Sequence, residues 1–145
     1  MPSFELREVE FRNDGLTDSL TQTMSPTLFH DALKREIASA KRDQRELAVL
    51  SLSLRIEGFE RVAEFQETLI HIAFALRTGL RGGDFFARIS DDGFWVLLRT
   101  DEVNVESIIQ RLDLPHHEAL QSQIVARKYD DYTEWIERID HIHFN

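Results

Sequence analysis

Residues 81–98 read RGGDFFARISDDGFWVLL. The runs DFFARI and GFWVLL are short, aromatic and branched, and SDDG separates them, a composition that predicts two strands joined by a turn. An Asp-Gly step supplies the positive φ of a tight turn, so the pair reads as a β-hairpin. In front of it stand an Arg and an Asp flanking two glycines, in a connection that the glycines relax.

Outward from the hairpin, the period changes. Upstream, GFERVAEFQETLIHIAFALRTGL places Phe59, Val62, Leu69, Ile70, Ala73 and Leu76 at helical spacing, a long helix. Before that, ELAVLSLSLRI alternates Leu50, Leu52 and Leu54 with Ser51 and Ser53, the period of a strand with one face more buried. Still earlier, SPTLFHDALKREIASAKRD starts with Ser25 as N-cap and Pro26 in the first turn, and carries Leu28, Phe29, Ala32, Leu33, Ile37 and Ala40 as an apolar stripe. Downstream, VNVESIIQRL predicts a helix from near Asn104, SQIVARKY a last strand, and YDDYTEWIERIDHIHF a closing helix with Tyr132, Trp135, Ile136 and Ile139 inward. Without the first helix the order is β-α-β-β-α-β. That is the α+β, ferredoxin-like split-βαβ plan, with helices on one face of an antiparallel sheet and the other face open to a ligand. Residues 1–17 show no firm period and read as an arm or leader, with the domain proper over 18–145.

A chain of 145 residues with 42% hydrophobic content suits one core rather than two. Seventeen Lys and Arg against 26 Asp and Glu give a formal charge of −9, which opposes non-specific attraction to nucleic acid or to anionic membranes. An anionic ligand would need a local basic cluster. The absence of Cys excludes disulfides and thiolate ligands. No stretch has the pattern of a signal peptide or a membrane span, so a cytoplasmic protein without membrane insertion is the expectation. His116-His117 and His141-x-His143 invite a metal reading, but His pairs near loops and termini are usually solvated. No metal and no cofactor are expected. Phe85, Phe86, Phe94 and Trp95 read as core packing rather than a platform for bases.

From about Asp18 onward the chain resembles the GGDEF domain of bacterial diguanylate cyclases. DSLTQTMSPTLF is similar to the family's D-x-L-T-G-L-x-N-R-R-x-F, keeping Asp18, Leu20, Thr21 and Phe29. SLRIEGFERV stands where the family has D-x-D-x-F-K-x-I-N-D, and RGGDFFARISDDGFWVLL where it has R-x-x-D-x-x-x-R-x-G-G-D-E-F-x-x-L-L. The spacing from Arg81 to Ser90 equals that from the family's Arg to its first signature Gly.

In that family, acidic residues at the end of the first strand and in the hairpin hold divalent metals that join two GTP molecules. Here Arg55 takes the position of the first metal-binding Asp, and Ala63 that of the guanine-reading Asn. The segment with the family's nucleotide-loop glycines is shorter by about six residues. The signature has become Ser90, Asp91, Asp92, Gly93, Phe94, and one surviving carboxylate cannot hold two metals. The resemblance therefore implies a domain without cyclase activity.

Arg81 and Asp84 match the family's R-x-x-D, a site that binds the product, cyclic di-GMP. A guanidinium fork suits phosphate oxygens and the guanine O6/N7 edge, and a carboxylate accepts from guanine N–H groups. Arg111 matches a further Arg on the following helix, and Arg88, with Arg99, adds positive potential nearby. The alternative for Arg81 and Asp84 is a pair closed on itself across a turn. The expected function is a cyclic di-GMP receptor that passes its bound state to a partner protein. The competing reading is an interaction module that docks on a signalling or secretion partner and binds no nucleotide. A homodimer is compatible with both.

Overall fold

The computed structural model describes residues 3–99 and 102–127. The order is α1 (Pro26–Asp43), β1 (Ala48–Leu54), α2 (Val62–Gly79), β2 (Phe85–Ser90), β3 (Gly93–Leu98), α3 (Glu102–Arg111) and β4 (Leu120–Arg127). The helix expected over 129–144 lies outside the described residues, as does His141-x-His143. The four strands form one antiparallel sheet in the order β2-β3-β1-β4. β3 lies between β1 and β2, which are joined through α2, and this is the split-βαβ arrangement.

Alternation along β1 divides the core. Ala48, Leu50, Leu52 and Leu54 face α2 and α3, where Phe65, Leu69, Ile72, Leu76, Val105, Ile108 and Leu112 meet them. Leu47 and Val49, with Ala87, Ile89, Trp95 and Leu97, face the other way and pack on Phe29, Leu33, Ile37 and Ala40 of α1. The second sheet face is thus covered by α1, not left open to a ligand. The reason is the apolar stripe of α1 itself, whose Phe29, Leu33, Ile37 and Ala40 are buried against that face. All six residues of β3 are buried because both faces of this inner strand are packed.

Ser25 caps α1, its Oγ accepting from the Leu28 N–H and donating to the Gly15 carbonyl. Leu28, read as part of the stripe, is exposed, and Ala32 is half-buried. On α2 the buried set is Phe65, Leu69, Ile72, Ala73, Ala75 and Leu76, so Ile70 faces solvent instead of the core. α3 starts at Glu102, two residues earlier than its periodicity suggested.

The segment before residue 18 is docked on the domain. Phe4 and Val9 are buried in the larger core, the Phe4 ring lies 5.8 Å from that of Phe65, and the Glu10 N–H donates to Gln66 Oε1 at 2.7 Å. No helix among the described residues is long and apolar enough to cross a membrane.

Candidate functional site: an arginine-lined cleft beside the hairpin

α2 ends at Gly79, where a Cβ would run into the Leu112 side chain, and this close approach brings the end of α3 beside the chain that leaves α2. That chain is Arg81-Gly82-Gly83-Asp84. The Asp84 N–H donates to the Arg81 carbonyl at 3.1 Å, closing a turn. Gly83 sits at φ +95°, a conformation in which a side chain is strained, and a Cβ there would stand 2.8 Å from the Arg99 guanidinium. Gly82 meets neither restriction.

The Asp84 carboxylate holds this turn through backbone. Oδ2 accepts from the Arg81 N–H at 3.3 Å and Oδ1 from the Arg99 N–H at 3.0 Å, which ties the entry of β2 to the exit of β3. The carboxylate is therefore engaged by main chain rather than by the Arg81 guanidinium, and Arg81 is exposed. Among the described residues no carboxylate forms an ion pair with that guanidinium.

Arg81, Asp84 and Arg111 line one cleft of about 320 Å³, together with Gly82, Arg99, Asn104, Ser107 and Ile108. Asn104, Ser107 and Arg111 are three and four residues apart, on one face of α3. That spacing was in the sequence; what it did not show was which turn the face would meet. Arg99 is a fuller member of the site than its place after an apolar strand suggested. Its guanidinium pairs with Glu36 of α1 at 2.8 Å and packs over Gly83. Glu36 also takes Arg45 at 2.9 Å. Burial works to raise the Glu36 pKa, but the hydrogen bonds from Arg45 and Arg99 outweigh it and hold the carboxyl below its ordinary value. The cleft thus presents three guanidinium groups against one carboxylate already used by backbone.

Arg88 does not join them. Its side chain is fully buried and paired with Asp18 at 3.2 Å, donates to the carbonyls of Glu10 at 2.6 Å and Asp91 at 3.0 Å, and lies 4.8 Å over the Phe11 ring. Burial pulls its pKa down and the nearby Asp18 opposes this. Asp18 in turn accepts from the N–H and hydroxyl of Thr21. Arg88 does not line the cleft and its charge is matched by Asp18; it fastens the arm to the hairpin.

The strand-end region is arranged differently from a metal site. Arg55 extends from the end of β1 and donates to the Glu118 carbonyl at 3.0 Å. Asp92 accepts from Ser90 Oγ at 2.9 Å, and its carbonyl takes the Leu54 N–H. Burial, and then the Asp92 charge, push the Asp91 carboxyl above its ordinary value. None of Asp91, Asp92 and Gly93 has a positive φ, so the hairpin does not use the Asp-Gly turn expected of it. Gly93 is favoured instead by closeness: a Cβ would stand 3.2 Å from the Leu52 carbonyl oxygen and from Ser90 Oγ. Among the described residues no three of His, Asp and Glu converge on a point that would hold a metal ion, and a fixed cation at Arg55 does not fit one. His117 stacks on Phe59 with ring centroids 4.4 Å apart, and its Nδ1 accepts from the Ala119 N–H.

A larger cavity of about 580 Å³ lies between α3 and β4, with Leu52, Ile109, Leu112, Leu114 and Leu120 in its walls and no arginine. An anion is better served beside Arg81.

Fold and cleft together define an α+β domain of the split-βαβ class with a cationic cleft at the mouth of its hairpin. The family model for the GGDEF domain, diguanylate cyclase, matches residues 15–141, and the chain belongs to that family. It is 30% identical over 113 residues to the bifunctional diguanylate cyclase/cyclic di-GMP phosphodiesterase MucR of Pseudomonas aeruginosa, a match that covers 70% of this chain and 16% of that protein. Among solved structures, it is similar to a microbial GGDEF domain studied for its interaction with cyclic di-GMP, at TM-score 0.66 and 18% identity over 90% of this chain and 91% of that one. The GGDEF domain of DgcB from Caulobacter crescentus, in complex with cyclic di-GMP, gives TM-score 0.65 and 17% identity, covering 92% and 90%. The diguanylate cyclase SiaD of Pseudomonas aeruginosa, in complex with its activator SiaC, gives 0.65 and 16%, covering 88% of this chain and 56% of SiaD.

Proposed function

We propose that this GGDEF domain makes no cyclic di-GMP and instead binds it in the cleft formed by Arg81, Asp84 and Arg111, passing the bound state to a partner protein. The observation that carries the reading is the convergence of three arginines from the turn, the end of β3 and α3 on one cleft of an otherwise acidic chain. A guanidinium takes a phosphodiester or a guanine edge through two parallel hydrogen bonds. The remaining lone pairs of Asp84 suit guanine N–H donors. Relatives of the same fold are solved with cyclic di-GMP, which makes it the ligand to test first. Loss of cyclase activity is supported by Arg55 and by the local engagement of Asp92.

Calorimetric titration with cyclic di-GMP, and with GTP as control, tests the reading. Saturable heat from cyclic di-GMP alone is expected, with no cyclic di-GMP formed from GTP and Mg²⁺ or Mn²⁺. Absence of heat at high micromolar cyclic di-GMP, or turnover that disappears in Asp92→Ala, overturns it. The interaction-module reading would then lead. It draws on Ile70 and Phe74, four residues apart on α2 and 44% and 60% exposed.

A further inference from the structure

Arg99 stands in the cleft beside Arg81 and Arg111, yet its guanidinium is directed to Glu36 on α1. The arrangement has an asymmetry. Glu36 is largely buried, so removing its only cation would leave a buried charge unpaired, which is strongly unfavourable. It has two, however, and Arg45 donates to the same Oε1 at 2.9 Å. Arg99 can turn from Glu36 to an anion in the cleft while Arg45 keeps the carboxylate paired. Its backbone does not need to move, because the Arg99 N–H is fixed on Asp84 Oδ1 at 3.0 Å. The side chain is 44% exposed, so solvent can replace part of what it leaves when it turns.

Charge counting points the same way. Cyclic di-GMP carries two phosphodiester charges. Arg81 and Arg111 with Asp84 leave the cleft one net positive charge, and Arg99 supplies the second once it is released from Glu36. We propose that Arg99 is a third ligand-binding arginine, which leaves Glu36 and closes on a phosphodiester of the bound nucleotide, so that Glu36 competes with the ligand for it. This rests on the reading that cyclic di-GMP occupies the cleft. The consequence is that α1, which covers the far face of the sheet, loses an ion pair when the cleft fills.

The test is calorimetric titration of the full chain with cyclic di-GMP for wild type, Arg99→Ala, Arg99→Lys and Glu36→Gln. Loss of a charged, forked contact should weaken binding by Arg99→Ala about tenfold or more, with Arg99→Lys between the two because an ammonium keeps the charge without the fork. Glu36→Gln removes the competitor and should tighten binding a few fold. A gain of affinity cannot come from damage to the fold, which keeps the test meaningful if Arg99→Ala disturbs the turn at Gly83. Wild-type binding that is unchanged within twofold in Arg99→Ala, or weakened in Glu36→Gln, overturns the role of Arg99 alone. A wild type that gives no heat overturns the nucleotide reading and this inference with it.

Discussion

Replacing Arg88 by Met keeps most of the volume of the side chain and removes its charge and its donors. Three acceptors then lose their partner: the Asp18 carboxylate and the carbonyls of Glu10 and Asp91. Asp18 is 1% exposed and, among the described residues, its carboxylate retains the two bonds from Thr21, so it becomes a buried charge without a cation. Breaking a buried pair in this way costs about 3–5 kcal/mol. Against a total stability of about 5–15 kcal/mol for a domain, that is a large fraction, and at about 2–4 °C per kcal/mol it lowers Tm by about 6–20 °C. Urea denaturation followed by circular dichroism and tryptophan fluorescence measures it. Asp18→Asn in the Arg88→Met background removes the stranded charge, so the double variant should be more stable than Arg88→Met alone. A loss below about 1 kcal/mol, or two single losses that simply add in the double variant, would refute the assignment of Arg88 and Asp18 as a coupled buried pair.

The cleft residues separate by the same kind of measurement. Arg81→Ala should change stability by less than about 0.5 kcal/mol while weakening cyclic di-GMP binding about 5- to 150-fold, since its guanidinium is exposed and the contact is bidentate. Asp84→Ala should lower both Tm and affinity, because it releases the N–H groups of Arg81 and Arg99; equal Tm for Asp84→Ala and wild type would contradict the turn-holding role. Gly83→Ala should destabilise by about 1–2 kcal/mol through the left-handed backbone, with the Arg99 guanidinium adding a clash, as read by thermal melting. Glu36 has a folded pKa below its ordinary 4.5, so its contribution is complete above that value and is lost as pH falls through the folded pKa. The stability difference between wild type and Glu36→Gln should therefore shrink between about pH 6 and about pH 3. A constant difference would show that the carboxylate charge is not what Arg45 and Arg99 hold.

Elements governed by local period were legible. The stripe of α1, the alternation of β1 and the continuous apolar run of β3 each follow from which neighbours a residue must meet at fixed spacing. What sequence could not settle was which of two apolar faces is covered. Ile70 and Ile72 are equally hydrophobic, and only the packing direction of α2 decides that Ile72 is buried and Ile70 exposed. The split-βαβ plan was read correctly and the role of α1 on the second face was not, because that role depends on a long-range contact. Phe4 and Val9 belong to a segment without period, so their burial leaves no local mark. Arg81, Asp84 and Arg111 were named from motif positions, and the structure brings them to one cleft. Arg88 was named for positive potential near the cleft, and it lies in the interior. A strand alternates its faces, and Arg88 points to the side where Asp18 waits; the partner is 70 residues away and no spacing rule reaches it.

That separation carries a kinetic consequence. Arg88 joins Glu10 and Asp18 across 78 and 70 residues of chain, so the loop entropy must be spent before either contact can form. A hairpin closes locally and early, whereas the charged anchor of the arm is missing until the strand bearing Arg88 is in place. Docking of residues 3–18 is thus expected late on the folding side and early on the way out. Substitutions at Arg88 or Asp18 should leave the refolding rate nearly unchanged and speed unfolding, which makes one buried guanidinium a determinant of how long the domain lasts once folded.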